Sequence, residues 1–206
     1  MGWTTQASRA GPASAGSPVG SRAATVGGMT TGPRPHTTGA ELPPDLLAAG
    51  RNCGEQLRRR QETIAVGEGS CGGLISAALL AVPGASAYYV GGAVIYTHHA
   101  LRGLMSGRVE RPEKLQGATE PWARHLAEAA RVHMGSTWGI GEGGAAGPSG
   151  NRYGDSSGHA WVAVSGPTDV ARNVLTGSDD REANMVSFAV AALDLLAETL
   201  EAAPAG

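Results

Sequence analysis

A chain of 206 residues with a formal net charge of −2 has too little charge imbalance for broad attraction to nucleic acid or to an anionic membrane surface. Its two cysteines, Cys53 and Cys71, are too few for a disulfide framework and suit a reduced, cytoplasmic chain. With a single Phe the core must come from Ala, Leu and Val, and no apolar run reaches the ~20 residues that span a bilayer.

Residues 1–40 are rich in Gly, Ala, Ser, Thr and Pro and hold no Asp or Glu. Such a stretch buries too little apolar surface to offset its ordering entropy, so it is expected to be a disordered tail. A transit peptide is the alternative that its basic, Ser-rich character leaves open, but Gly and Pro oppose the amphipathic helix this needs. A single domain is expected over 41–206.

Pro44 and Asp45 open a first helix, with Arg58, Arg59 and Arg60 expected on its solvated face. "ETIAVGE" reads as a buried strand, "GGLISAALLAV" as a buried helix and "YYVGGAVIYT" as a strand kinked at Gly91 and Gly92. "HHALRGLMSG" is a short helix. Thr119 is expected to cap the amphipathic helix "ARHLAEAARVHMG". "STWGIGEGGAAGPSG" reads as a strand entering a second glycine-rich loop over 141–150. "GHAWVAVSG" and "ARNVLTG" are further strands, and the chain closes with the apolar-periodic helix "DREANMVSFAVAALDLLAETLEA". Strands alternating with helices imply an α/β layered domain, whose ligands sit beyond the carboxyl ends of the strands. Glycine-rich segments 67–73 and 141–150 are both expected there.

The segment Gly67-Glu68-Gly69-Ser70-Cys71-Gly72-Gly73 turns a strand into a helix and presents a hydroxyl beside a thiol. A helix N-terminus there offers N–H groups to an oxyanion or phosphate. The histidines at 98, 99, 125, 133 and 159 are too scattered for a metal site, and no GxGxxG or Walker loop is present. No metal, cofactor, nucleic-acid partner or membrane is expected.

The ordered blocks Glu68, Gly72-Gly73, Pro83-Gly84-Ala85-Ser86, Gly91-Gly92, Tyr96, Gly139-Ile140 and Ala146-Gly147-Pro148 resemble the C-terminal domain of the CinA family of competence/damage-inducible proteins. That family includes stand-alone nicotinamide-nucleotide amidases. The resemblance implies a three-layer α/β/α sandwich with a mixed sheet, a homo-oligomer, and deamidation of nicotinamide mononucleotide or a related carboxamide to the acid and ammonia. In the family a serine of the glycine turn is the nucleophile, assisted by a Tyr and a Lys, while a threonine and backbone amides of the second loop help hold the substrate.

This chain departs from that pattern. In gap-free register Gly69 takes the serine position, Ser70 and Cys71 the next two, Leu101 the lysine position and Gly143 the threonine position. Three readings stay open. Ser70 supplies the hydroxyl after a one-residue slip of the turn, with Tyr96 and His98 or His99 handling its proton. Alternatively Cys71 is a thiolate nucleophile at the helix N-terminus. In the third reading the fold is a catalytically inactive nucleotide-binding or assembly module. Glu68, Gly69, Gly72, Gly73, Glu142, Gly143, Gly144 and Arg152 are candidate substrate-binding residues, the turn amides forming an anion nest. Each has a plainer reading. Ser70 caps the helix, Cys71 is a small buried hydrophobe, Glu68 pairs with a loop N–H, and Tyr96 packs at a strand end. His98 and His99 are surface imidazoles, Glu142 is an exposed loop acid, and Arg152 lies in a mobile surface loop.

Overall fold

A computed structural model describes residues 41–105, 107, 109–110 and 116–204; the expected disordered tail lies outside the described residues. In chain order the elements are α1 (Pro44–Arg60), β1 (Ile64–Glu68), α2 (Leu74–Leu80), β2 (Tyr89–Val94), α3 (His98–Leu104), α4 (Glu120–Met134), β3 (Trp138–Ala145), β4 (His159–Ser165), β5 (Val170–Leu175) and α5 (Arg181–Ala202). The five strands form one sheet in the order β2-β1-β3-β4-β5. β1 runs parallel to both β2 and β3, while β4 and β5 continue antiparallel, so the sheet is mixed.

Alternation along the central strands builds two cores. Ile64 and Val66 of β1 and Trp138 and Ile140 of β3 join Leu57 of α1, Ile75 and Leu79 of α2, and Phe188, Leu193 and Leu196 of α5. On the other face Ala65 of β1 packs with Leu101 of α3 and with Trp122 and Leu126 of α4. The result is the expected three-layer α/β/α sandwich. α5 is long and apolar enough, by composition, to cross a membrane. Its residues Phe188, Leu193, Leu196 and Leu200 are nevertheless buried in the first core, which accounts for that apolarity.

Several local expectations change. Arg60 is not on a solvated face. Its Nη1 donates to the carbonyls of Leu200 and Ala203, its Nη2 donates to Pro204 O, and Glu62 pairs with its Nε, so the side chain caps the end of α5. Thr119 begins α4, but its hydroxyl donates to Gln116 O at 2.7 Å rather than accepting from the helix. Gly91 and Gly92 do not kink β2. The irregularity falls one residue earlier, because Ile64 pairs with Tyr89 and Ala65 with Gly91, leaving Val90 over. The glycines allow close approach instead: a Cβ at Gly92 would come within 2.5 Å of Ser76 Oγ.

Residues 141–145 are not a loop. They complete β3, in register with β1 on one side and β4 on the other. Gly67, Gly139 and Gly141 lie under α4, where a Cβ at Gly67 would sit 2.9 Å from Leu126 O and one at Gly141 would overlap Ala123 O. Glycine here lets a helix rest directly on strand backbone.

Candidate active site

The parallel strands β1 and β3 carry the same tripeptide side by side, Gly67-Glu68-Gly69 at the end of β1 and Gly141-Glu142-Gly143 within β3, with Glu68 paired to Glu142. Alternation puts both carboxylates on the face away from α4, under the turn that leads into α2. Both are fully buried. Glu68 Oε2 accepts from the N–H groups of Gly73 (3.0 Å) and Ile75 (3.1 Å), and its Oε1 accepts from Ser76 N (3.1 Å) and Ser76 Oγ (2.6 Å). It thereby caps α2 from below, satisfying N–H groups that have no partner inside the helix.

Glu142 organises the other half of the turn. Its Oε2 accepts from Gly69 N (3.0 Å) and Cys71 N (2.9 Å), and its Oε1 accepts from Ser70 Oγ. Burial pushes its carboxyl above the usual 4.5; the hydrogen bonds from Ser70 and Cys71 pull the other way, and the charge of Glu68 adds to the rise. A hydroxyl paired with a buried carboxylate of raised proton affinity is a nucleophile–base arrangement.

Ser70 opens onto a cavity of about 510 Å³ beyond the carboxyl ends of β1, β2 and β3. Its wall includes Gly69, Tyr96, His98, Trp122, Gly143, Gly144 and Arg152. Tyr96 is two-thirds exposed and its hydroxyl accepts from Arg181 Nη2 at 3.3 Å. The His98 ring meets Trp122 edge-on, with centroids 5.2 Å apart. Arg152 brings a guanidinium to the rim, where its Nη2 donates to Tyr153 OH at 2.6 Å. Asn151 and Asp155 tie that loop together: Asn151 Nδ2 donates to Asp155 Oδ2, and the backbone N–H groups of Tyr153 and Asp155 donate to Asn151 Oδ1.

The chain matches the model of the CinA C-terminal domain over residues 48–200. It belongs to the CinA C-terminal domain family. A CinA-like protein from Anaeromyxobacter dehalogenans is 37% identical over 155 residues, which cover 74% of this chain and 36% of that one. A CinA-like protein from Myxococcus xanthus is 35% identical over 154 residues, 73% of this chain and 36% of the relative. The matched stretch thus spans about a third of those relatives. Among solved structures, a CinA superfamily protein from Klebsiella pneumoniae superposes with a TM-score of 0.70 at 23% identity, covering 76% of this chain and 98% of that one. Competence/damage-inducible protein CihA from Agrobacterium tumefaciens gives 0.71 at 22%, covering 79% and 99%. These likenesses establish the fold.

Within this CinA-type site the residues singled out from the sequence separate into two groups. Ser70, Gly69, Tyr96, His98, Gly143, Gly144 and Arg152 come together around the cavity. The others do not meet it. Cys71 is fully buried, and burial followed by the charges of Glu142 and Glu68 drives its thiol well above its usual value, opposite to what a thiolate nucleophile needs. His99 is exposed beside the cavity wall rather than in it. Glu68 and Glu142 are structural neighbours of the turn, not exposed ligands of a substrate. Gly72 and Gly73 lie outside the lining and carry the turn's positive φ values, 65° and 105°. The expected anion nest is already filled, because the N–H groups of Gly69, Cys71 and Gly73 are held by the two glutamates. Nor does Ser70 cap α2, whose N-cap is Gly73.

Sequence reasoning missed the pairing of Glu142 with Ser70 and the place of Trp122 in the wall. The repeated Gly-Glu-Gly triplet was the available signal for the first. For the second it was a lone Trp in the first turn of an otherwise Ala-rich helix face.

Proposed function

We propose that this CinA-type domain is an amidohydrolase acting on nicotinamide mononucleotide or a related carboxamide, with Ser70 as nucleophile and Glu142 as its base. The observation that supports it is the hydrogen bond that Ser70 Oγ, in the wall of the cavity, donates to the Glu142 carboxylate buried behind it. Glu142 takes the hydroxyl proton as Ser70 Oγ bonds to the carboxamide carbon. It returns that proton to the departing nitrogen as the C–N bond breaks, releasing ammonia and leaving an ester on Ser70. Water, deprotonated by the same carboxylate, cleaves the ester to the free acid and restores Ser70. Arg152 neutralises the substrate's phosphate from the rim. Tyr96 and His98 line the site as further polar contacts. A homo-oligomer in the cytoplasm accompanies this reading, and light scattering tests the assembly.

Purified protein incubated with nicotinamide mononucleotide releases ammonia on this reading. Ser70→Ala abolishes the release, Glu142→Gln lowers it about a hundredfold or more and Cys71→Ser keeps it; a Ser70→Ala variant of unchanged rate overturns the assignment. The occupied amides of the turn favour a second reading, a module that binds the nucleotide without hydrolysing it, because an oxyanion would lack those donors. Ammonia at buffer level alongside heat of binding selects that reading.

A further inference from the structure

One polar group in the cavity wall has no part in the serine chemistry. Trp122, in the first turn of α4, is only 5% exposed and lines the cavity together with Gly143. The indole edge that carries Cδ1 and Nε1 lies against Gly143: a Cβ built there would overlap Cδ1 and stand 2.6 Å from Nε1. The fully buried indole of Trp138, by contrast, donates its Nε1–H to Glu62 Oε2 at 2.7 Å. The Nε1–H of Trp122 has no acceptor among the described residues, yet no fully buried side-chain nitrogen or oxygen there lacks a partner. With Trp122 and Gly143 both in the cavity wall, the indole edge that carries this N–H lies at the cavity. An indole so nearly buried, with its donor unmatched by any described residue, is set to meet something that enters.

The surroundings hold the ring in place. The His98 ring stands edge-on to it at 81°, and Leu126 and Ala129 pack in the same core cluster. Glycine at 143 is the condition for this placement, since any larger side chain would collide with the indole. On the opposite side of β3 the next residue, Gly144, lies beside the nucleophile: a Cβ there would be 2.8 Å from Ser70 Oγ. Hydroxyl and indole N–H thus flank successive residues of one strand, both facing one cavity.

We propose that Trp122 is a substrate-recognition residue whose Nε1–H donates to an uncharged acceptor oxygen, carbonyl or hydroxyl, of the carboxamide nucleotide. The assignment rests on the amidohydrolase reading for the identity of the ligand. A neutral donor suits a neutral acceptor, and the anionic end of the ligand goes to Arg152.

The test is Trp122→Phe, which removes the N–H and keeps a ring against His98 and Gly143. Titration of wild type and variant with nicotinamide mononucleotide in a calorimeter is expected to show about tenfold weaker binding for the variant, in the range of one lost hydrogen bond. KM rises by the same factor while kcat changes less. In parallel, the Trp122 indole resonance of ¹⁵N-labelled wild type, assigned through its contacts to His98 and Gly143, shifts and exchanges more slowly with solvent when the nucleotide is added. This readout needs no variant and stands if Trp122→Phe misfolds. Equal affinity of the two proteins, an unmoved indole resonance, or no binding to the wild type overturns the proposal. Trp122-dependent binding without ammonia release removes the hydrolase reading and leaves Trp122 in place. Ammonia release with Trp122→Phe binding unchanged does the reverse.

Discussion

Residues 67–73 and 139–145 are both glycine-rich and share the triplet Gly-Glu-Gly, but their glycines answer different needs. In the first segment Gly72 and Gly73 take positive φ values of 65° and 105°, which turn the chain between β1 and α2. In the second, Gly139, Gly141 and Gly143 stay in extended strand, and each is small because something on α4 occupies the place of its side chain. Gly72 and Gly73 serve backbone freedom, whereas Gly139, Gly141 and Gly143, like Gly67 in β1, serve contact distance. The glutamates in the two triplets then join the segments, since both carboxylates reach into the same turn. A glycine-rich stretch therefore does not by itself mark a phosphate loop.

Gly141→Ala has the largest expected effect, because the new methyl meets the Ala123 carbonyl, a backbone atom that cannot turn away. A loss of at least about 3 kcal/mol in chemical denaturation is expected, and a near-neutral result contradicts the packing account. Glu68→Ala comes next. It strands three N–H groups and the Ser76 hydroxyl beneath α2. About 3 kcal/mol is expected, with faster amide exchange in Leu74–Leu80 as its local signature.

Glu142→Gln sharpens the contrast between the two acids, since it is expected to lower turnover by about a hundredfold or more while the fold persists. Its pH behaviour has a definite sign. The folded carboxyl holds its proton above the usual 4.5, so between that value and the raised one the unfolded chain has lost a proton that the native state keeps. Stability falls as pH rises through this window. Turnover, which needs the carboxylate, climbs through it. Denaturation midpoints and rates measured across pH should show these opposed slopes in the wild type; in Glu142→Gln the rate loses its climb and the stability slope is reduced to what Asp194, also raised by burial, contributes. Gly72→Ala is the mildest change: its φ of 65° is strained for alanine, but the nearest obstacle is the flexible Met185 methyl at 3.1 Å. About 1 kcal/mol is expected from a thermal shift.

Much of the architecture was legible in one dimension. Unbroken apolar runs gave β1 and β4, the apolar period gave α1, α4 and α5, and the ordered motif blocks pointed to the CinA C-terminal fold. Part of the site was legible too, since Ser70, Tyr96, His98 and Arg152 do share a cavity. The misplaced features depended on distant partners. Arg60 looked solvated because its acceptors, the carbonyls that end α5, lie some 140 positions on. Glu142 looked like an exposed loop acid because nothing in "GIGEGG" says that the strand continues through it or which strand lies alongside.

Composition and periodicity by themselves determined the kinds of element, their order and the layered class, because these follow from side-chain spacing on single helices and strands. Only the tertiary structure decided which acid faces Ser70, why Cys71 is buried away from the cavity and why position 143 must be glycine. Those outcomes depend on the parallel register of β1 against β3 and on where α4 rests across them, and such long-range distances are set when the layers pack.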